Sequence, residues 1–329
     1  VHSEQFEQFF ENLSAQNQVC VEASTSTFEF VRRATEHGAA VHVVNPQGMR
    51  ELYCTSKKTD RVDAKKLADR LKRHLEDEDP EDGFPEVWIP DAATEELRTL
   101  FGAYEFTRRQ LVATKNRIAL AFRRRMISLP DRTITTVRRH LAHQRLRQED
   151  RFELELALSH LQLLDEQRAA IRARIEARSV QIHPAAIRLL VSIPGISIFI
   201  AAVIMAEIGD ISRFSSAKKL SAYLCAAPTI DASGGVQRLG SLSKRGRKRT
   251  YRFLLQALHH VVGQTPPFAD YMDRKRRAKQ LCKVRAALVR KTIVAIYYIL
   301  KNKEVYRFAN MSLYDRKLAQ INRLTPQVA

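Results

Sequence analysis

A chain of 329 residues with 45% apolar content is long enough for two or three modules, each burying its own core. Its 55 Lys and Arg stand against 36 Asp and Glu, and the formal charge of +19 is the electrostatic footprint expected of a nucleic-acid partner. No run approaches the ~18 apolar residues of a spanning helix, and the acidic, polar start lacks the basic-then-apolar order of a signal peptide, so a cytoplasmic protein with no membrane partner is expected.

In chain order, QVCVEAS (18–24) reads as a short buried strand, STFEFVRRATEHG (26–38) as a helix closed by Gly38, and AAVHVVNP (39–46) as a second strand ended by Asn-Pro. Strand, helix and strand make a parallel βαβ unit. Two parallel strands are too few to stand alone, so further strands are expected beside them. KKTDRVDAKKLADRLKRHL (57–75) predicts a helix with Thr59 as N-cap and Val62, Leu67 and Leu71 on one side. The acidic, Pro- and Gly-containing stretch 76–91 reads as a linker, and its end as a domain boundary.

From Ala93 to about Met126, Leu97, Tyr104, Leu111 and Ile118 recur at every seventh position, and Leu154, Leu158, Leu161, Leu164, Ile171 and Ile175 continue the style from Arg151 to about Gln181. Two long helices follow, pairing as an antiparallel or intersubunit coiled coil, or else packing inside a compact bundle. From about Ala185 the chain is helical again, broken at Pro194-Gly195, over Pro228 to Gly246, and at Pro266-Pro267. Basic residues cluster as Lys244, Arg245, Arg247, Lys248 and Arg249, then as Arg274, Lys275, Arg276, Arg277 and Lys279. Each run alone is compatible with a solvated face; together with the net charge they favour phosphate contact. Cys20, Cys54, Cys225 and Cys282 show no paired spacing, which suggests neither a zinc site nor a disulfide framework and leaves buried or partly buried thiols.

Asp60 and Asp63 stand three apart on a helix, so both carboxylates leave one face. Glu22 ends a strand, where ligands of parallel sheets characteristically lie. Three such acids would repel one another unless a divalent ion neutralised them, and Mg²⁺ or Mn²⁺, with their oxygen ligands, fit. The alternative is that Asp60 caps its helix while Asp63 pairs with Lys66 or Lys57. LLVSIPGISIFIAAVIMAEIG (189–209) has the form of two short helices joined by a Pro-Gly turn. Around Gly195 that turn either presents backbone N–H groups to a DNA phosphate or closes a plain core hairpin. Further on, Ser233 is followed by two glycines and then by Arg238, Lys244 and Arg245, which could hold a phosphate. A serine so placed could attack a phosphodiester; serines beside glycines are also common in turns.

Together these residues resemble the insertion sequence 110 family of transposases, also called DEDD transposases and similar to the Piv site-specific invertases. VCVEAST matches the strand ending in the family's second acid, VVNPQ its next strand, and KTDRVDAKKLAD its helix with the third and fourth acids. PEVWIPD, LLVSIPGIS, AEIGDISRF, SGG and LSKRG follow in the family order, so that the resemblance covers nearly the whole chain. It implies an α/β plus all-α protein in three parts. These are an RNase H-like, RuvC-type catalytic domain over 1–91, a coiled-coil region over 92–184, and a helical transposase domain over 185–329 with a helix-hairpin-helix-like element and a serine loop.

By position, Glu22, Asp60 and Asp63 resemble three of the four catalytic, metal-holding acids, and Ser233 the nucleophilic serine. Gly195, Arg238, Lys244, Arg245, Arg247, Lys248 and Arg249 are expected at nucleic acid. The resemblance implies Mg-dependent DNA cleavage and rejoining, guidance by a structured bridge RNA, and a homo-oligomer (dimer or tetramer) held through the coiled coil in a bacterial or archaeal cytoplasm, at the nucleoid.

Two departures bear on this reading. Family members normally begin with a strand carrying the first Asp, and nothing before Glu22 supplies it, so an N-terminally incomplete catalytic domain is expected. LCAAP (224–228) also replaces the Gly-Leu-x-Pro usual before the serine loop. Two alternatives stay open: a RuvC-like nuclease without a covalent intermediate, and an inactive nucleic-acid-binding remnant.

Overall fold

The computed structural model describes residues 3–46, 48–49, 59–76, 84–233, 236–243 and 246–325, with Ser3 and 230–239 described by backbone alone. The chain divides into two compact units, Val1–Pro90 and Asp91–Ala329.

The first unit opens with α1 (Ser3–Glu11), which the sequence reading did not anticipate. Its aromatic residues explain it: Phe10 is buried against Phe9 and against Phe30 of α2 (Thr27–Glu36), and the Arg33 guanidinium lies 4.3 Å from the Phe10 ring while pairing with Glu7. β1 (Gln18–Glu22) and β2 (Ala40–Val44) pair in parallel, with Glu22 opposite Val44. Between them α2 ends at Gly38, whose φ of +87° suits a residue without a side chain. On the other edge of β2 the acidic linker's end adds an antiparallel bridge, Val44 to Glu86, with Val87 N donating to Val43 O at 2.7 Å. α3 (Asp60–Glu76) follows. Thr59 Oγ1 accepts from Val62 N at 3.4 Å and Thr59 O from Asp63 N at 3.0 Å, the capping expected of it. Leu71 is buried and Leu67 half-buried, but Val62 is exposed, since it leaves the first turn on the solvent side.

The second unit starts with α4 (Ala92–Arg123), capped by Asp91 Oδ1, which accepts from Thr94 N at 2.6 Å. After the short α5 (Ile134–His143), also not anticipated, α6 (Gln148–Ile182) returns along α4. The pairing is antiparallel within one chain: Arg178 near the end of α6 holds Glu96 near the start of α4 at 2.7 Å, and Arg117 reaches Glu153 at 3.3 Å. The heptad positions Leu97, Tyr104, Leu111 and Ile118 are all buried in this seam.

α7 (Pro184–Leu190) and α8 (Ile198–Ile208) come next, then a single 3-10 turn at Ile211–Arg213 and α9 (Ala217–Tyr223). α8 is apolar on every side, and all but one of its eleven residues are buried, as an all-round hydrophobic helix must be. The Pro228–Gly246 break holds a hairpin that the sequence reading missed, β3 (Pro228–Ser233) against β4 (Val236–Leu242), antiparallel with Ser233 opposite Val236. Two alternating runs separated by Gly-Gly were its available signal. α10 (Lys248–Gly263), α11 (Pro266–Arg276), α12 (Leu281–Asn302) and α13 (Met311–Leu324) complete the unit. α7, α8, α10, α12 and α13 share one core, centred on residues such as Ile193, Ile204, Leu254, Leu288 and Ile296. Among the described residues no helix is long and apolar enough to cross a membrane.

Candidate functional site

Glu22 closes β1 and is half-buried; Asp60 is exposed in the first turn of α3 and Asp63 half-buried one turn on. Because Thr59 does the capping, Asp60 is the first helical residue and not the cap. Acids there also suit the positive end of the helix dipole. Among the described residues no three of His, Cys, Asp and Glu come close enough to share a metal ion, so these carboxylates do not by themselves build a metal centre. Near Glu22, burial first and then the Glu86 and Glu22 carboxylates push the Cys20 thiol up to about 11.

In the second unit the Pro-Gly turn faces inward. Gly195 has φ of +80°, and a Cβ there would stand 2.7 Å from His260 Cβ and 3.0 Å from Ala257 O of α10. Val191, Ser192, Ile193 and Ile196 around it are buried. Close packing against α10 therefore requires a glycine here.

The basic run before α10 also divides. Arg247 and Arg249 both pair with Glu207, which is 1% exposed at the end of α8, at 3.4 and 3.1 Å. Two further arginines close the same helix end: Arg98 donates to Ala206 O (2.8 Å) and Glu207 O (3.3 Å), and Arg213 to Ile208 O (2.9 Å) and Glu207 O (3.4 Å). Burial, then the nearby Arg247 charge, lowers the Arg98 pKa. Arg247 and Arg249 are thus tied to the fold first. Sequence reasoning missed Glu207, although an acid inside the apolar run IMAEIG was the available signal, since a buried carboxylate needs a partner. Lys248, between the two arginines, is exposed.

The hairpin is anchored at its foot. Ser243 N donates to Ala227 O (3.0 Å) and Arg247 N to Tyr223 O (2.9 Å), while Gly246, at φ +121°, passes so close to Tyr223 O that a Cβ would sit 2.5 Å from it. Ser233 ends β3, and Arg238 lies opposite Asp231 in β4. Lys244 and Arg245 lie outside the described residues, as does Cys54. Of the other cysteines, Cys225 is buried but Cys282 is exposed, contrary to the expectation of uniformly covered thiols. The second basic run sits at the end of α11, where Arg274, Lys275 and Arg276 suit the negative end of the dipole.

At the foot of the hairpin, α10 and α12 flank a groove of about 1570 Å³. Its rim carries Lys248, Lys283, Arg285, Arg290 and Lys291, all exposed, and the sequence reading singled out only the first of them.

Residues 187–273 match the family model described as Transposase IS116/IS110/IS902 family, and residues 2–124 match a second model, of the DEDD IS110 type, described as Transposase. The chain is 29% identical over 149 residues to the insertion element IS110 uncharacterized 43.6 kDa protein of Streptomyces coelicolor, a match covering 45% of this chain and 36% of that one. It is 28% identical over 142 residues to a probable family 20 transposase of Pseudomonas aeruginosa, covering 41% of this chain and 42% of the relative. The transposase for insertion sequence element IS1111A of Coxiella burnetii is 28% identical over 120 residues, 35% of this chain and 33% of its own. These matches span between a third and about two-fifths of each relative's length.

Proposed function

Since the chain belongs to the IS110 family of transposases, we propose that it cuts and rejoins DNA at the ends of an insertion sequence, with Ser233 as nucleophile. The Ser233 hydroxyl oxygen bonds to the scissile phosphorus, the phosphorus–oxygen bond to the leaving strand breaks, and the serine proton ends on the released hydroxyl. Attack by a strand hydroxyl on that serine phosphodiester reverses the step and rejoins DNA. The observation that carries the reading is the order of the two matched regions along the chain, the second of which contains a hairpin whose first strand ends at Ser233 and whose foot stands beside a cationic groove.

Glu22, Asp60 and Asp63 are the carboxylates we propose for a divalent cation, Mg²⁺ or Mn²⁺, within an RNase H-like, RuvC-type domain. Among the described residues they do not gather into a metal site on their own. Titration calorimetry with Mn²⁺ tests the assignment, which fails if Asp63→Asn binds as the unaltered protein does.

DNA, a structured guide RNA and further copies of the chain are the proposed partners, in the cytoplasm and on the nucleoid. Assembly through the α4–α6 region is supported by Phe152, Leu156 and Leu163, which are exposed on one face of α6, and by Phe106 and Leu120 on α4.

The reaction is tested by incubating the protein with end-labelled DNA carrying the element ends, the element's RNA and Mg²⁺. A denaturation-resistant protein–DNA adduct is expected, and it is expected to vanish in Ser233→Ala. An adduct that persists in Ser233→Ala removes Ser233 from the mechanism, and multiple turnover on branched DNA without an adduct makes the protein a nuclease.

A further inference from the structure

The groove between α10 and α12 is larger than the ~300–1,000 Å³ of a small-molecule site, and its charge is unbalanced. Its one lining carboxylate among the described residues, Glu105, is already engaged by Arg108 and by Arg252. Arg249 is engaged by Glu207. Among the described residues, Lys248, Lys283, Arg285, Arg290 and Lys291 have no carboxylate partner. Like charges gathered on one concave surface repel, and the fold leaves that repulsion in place.

The position of the cations within their helices sharpens the point. Lys248 and Arg249 lie in the first turn of α10 and Lys283 in that of α12, and neither helix has an acid in its first turn or a side-chain cap. A helix N-terminus is the end where cations are unfavourable, by about 0.3–1 kcal/mol each. The two long helices follow the rule: α4 starts with Asp91 and Glu95, and α6 with Glu149 and Asp150. α9 also leads with cations, Lys218 and Lys219, and no acid, but the Ser216 side chain caps it; α10 and α12 have neither acid nor side-chain cap, an arrangement that an anion in the groove would reverse from cost to benefit.

Below the rim the lining is apolar, formed by Leu255, Ala286, Ala287 and Val294, with Tyr251 at the side. A sugar–phosphate backbone alone would have no use for such a floor, and a duplex keeps its bases stacked inside. Unpaired nucleotides present phosphates and base faces together, which matches a cationic rim above an apolar, aromatic-bearing floor. From this, and resting on the proposed function for its choice of a nucleic-acid partner, we infer that the groove seats an unpaired nucleic-acid segment, its phosphates on Lys283, Arg285, Arg290 and Lys291 and a base against Tyr251.

The test is fluorescence anisotropy on the full chain with a labelled 12-nucleotide oligothymidylate, the matching oligouridylate and a 12-base-pair duplex, over a salt series. Arg285→Gln/Arg290→Gln alters two exposed side chains and is expected to lower the salt slope for both single strands by about 1.4, from roughly 0.7 per lost phosphate contact. Tyr251→Leu keeps an apolar side chain on the floor, and loss of one stacked base is expected to weaken single-strand binding about 5- to 150-fold with the slope unchanged. Unequal losses for the two single strands tell which of DNA and RNA the groove prefers, and either preference supports the inference. Unaltered slope and affinity in both variants overturn it, and so does an equal loss for the duplex. Ser233→Ala is expected to bind the single strands normally, so a failed adduct assay and a failed groove assay are separate results.

Discussion

Glu207 and Arg249 meet at 3.1 Å across the join between the buried end of α8 and the first turn of α10, the helix that follows the hairpin carrying Ser233. The acid is almost wholly removed from water, whereas the Arg249 and Arg247 side chains keep 22% and 45% of their exposure. The carboxylate therefore pays the desolvation and the arginines supply the compensation.

Replacing that acid by Gln leaves Arg98, Arg213, Arg247 and Arg249 crowded without a counter-charge. Because two of the arginines reach solvent, the expected loss falls below the usual figure for a broken buried pair, at about 2–3 kcal/mol. Urea unfolding of Glu207→Gln measures it, and a change under about 0.5 kcal/mol, the ordinary range of surface substitutions, would show that the pair contributes nothing to the fold.

Gly195→Ala introduces a Cβ at a positive φ and within 2.7 Å of His260 Cβ. Strain and overpacking together should cost about 2–4 kcal/mol. Gly102→Ala, at a helical site with open space, is the control and should be neutral or slightly stabilising. Equal stability of the two variants would contradict the packing role assigned to Gly195.

Lys317 donates to Val191 O and Ile196 O, both at 2.8 Å, and so ties α13 to the two sides of the Pro-Gly turn. Burial lowers its pKa to about 8 from an ordinary 10.5. Between those values the unfolded chain holds the proton more tightly than the folded one, so stability from this group rises as pH increases from about 8 towards 10.5 and is level below 8. Urea midpoints at several pH values through that window should show a smaller upward trend in Lys317→Met than in the unaltered protein. Parallel profiles would exclude Lys317 as the titrating group.

Asp91 caps the helix that begins the second unit. Asp91→Ala is expected to cost about 1 kcal/mol. Asp91→Asn, which retains an acceptor, should recover most of that in the same melts; if both variants fall equally, the carboxylate's charge and not its hydrogen bond is what matters.

Much of this architecture was legible because short-range periodicity writes a helix's buried side directly into the sequence. The seventh-residue repeat from Leu97 to Ile118 located the seam of α4, and the Pro-Gly break in 189–209 marked the turn between α7 and α8. Thr59, Gly38 and the Asn-Pro after β2 marked ends of elements for reasons of local backbone chemistry. α1 and α5 escaped because they are short, and a face of two or three apolar residues is too weak a pattern to separate from a loop. For the site, motif likeness pointed to Glu22, Asp60, Asp63 and Ser233, while charge counts suggested phosphate for every basic run alike.

The sequence by itself thus determined the helical character, the two long helices and the basic charge, all of which depend on composition and on neighbours within a few turns. Only the tertiary structure decided which cations are spent inside the fold and which remain for a ligand. Arg249 and Glu207 are 42 positions apart, and Arg98 and Glu207 are 109 apart. Arg285 and Arg290 join Lys248 on one groove only after α10 and α12 pack side by side. A charge acts through distance in space and through the solvent around it, and neither is fixed until the chain has folded.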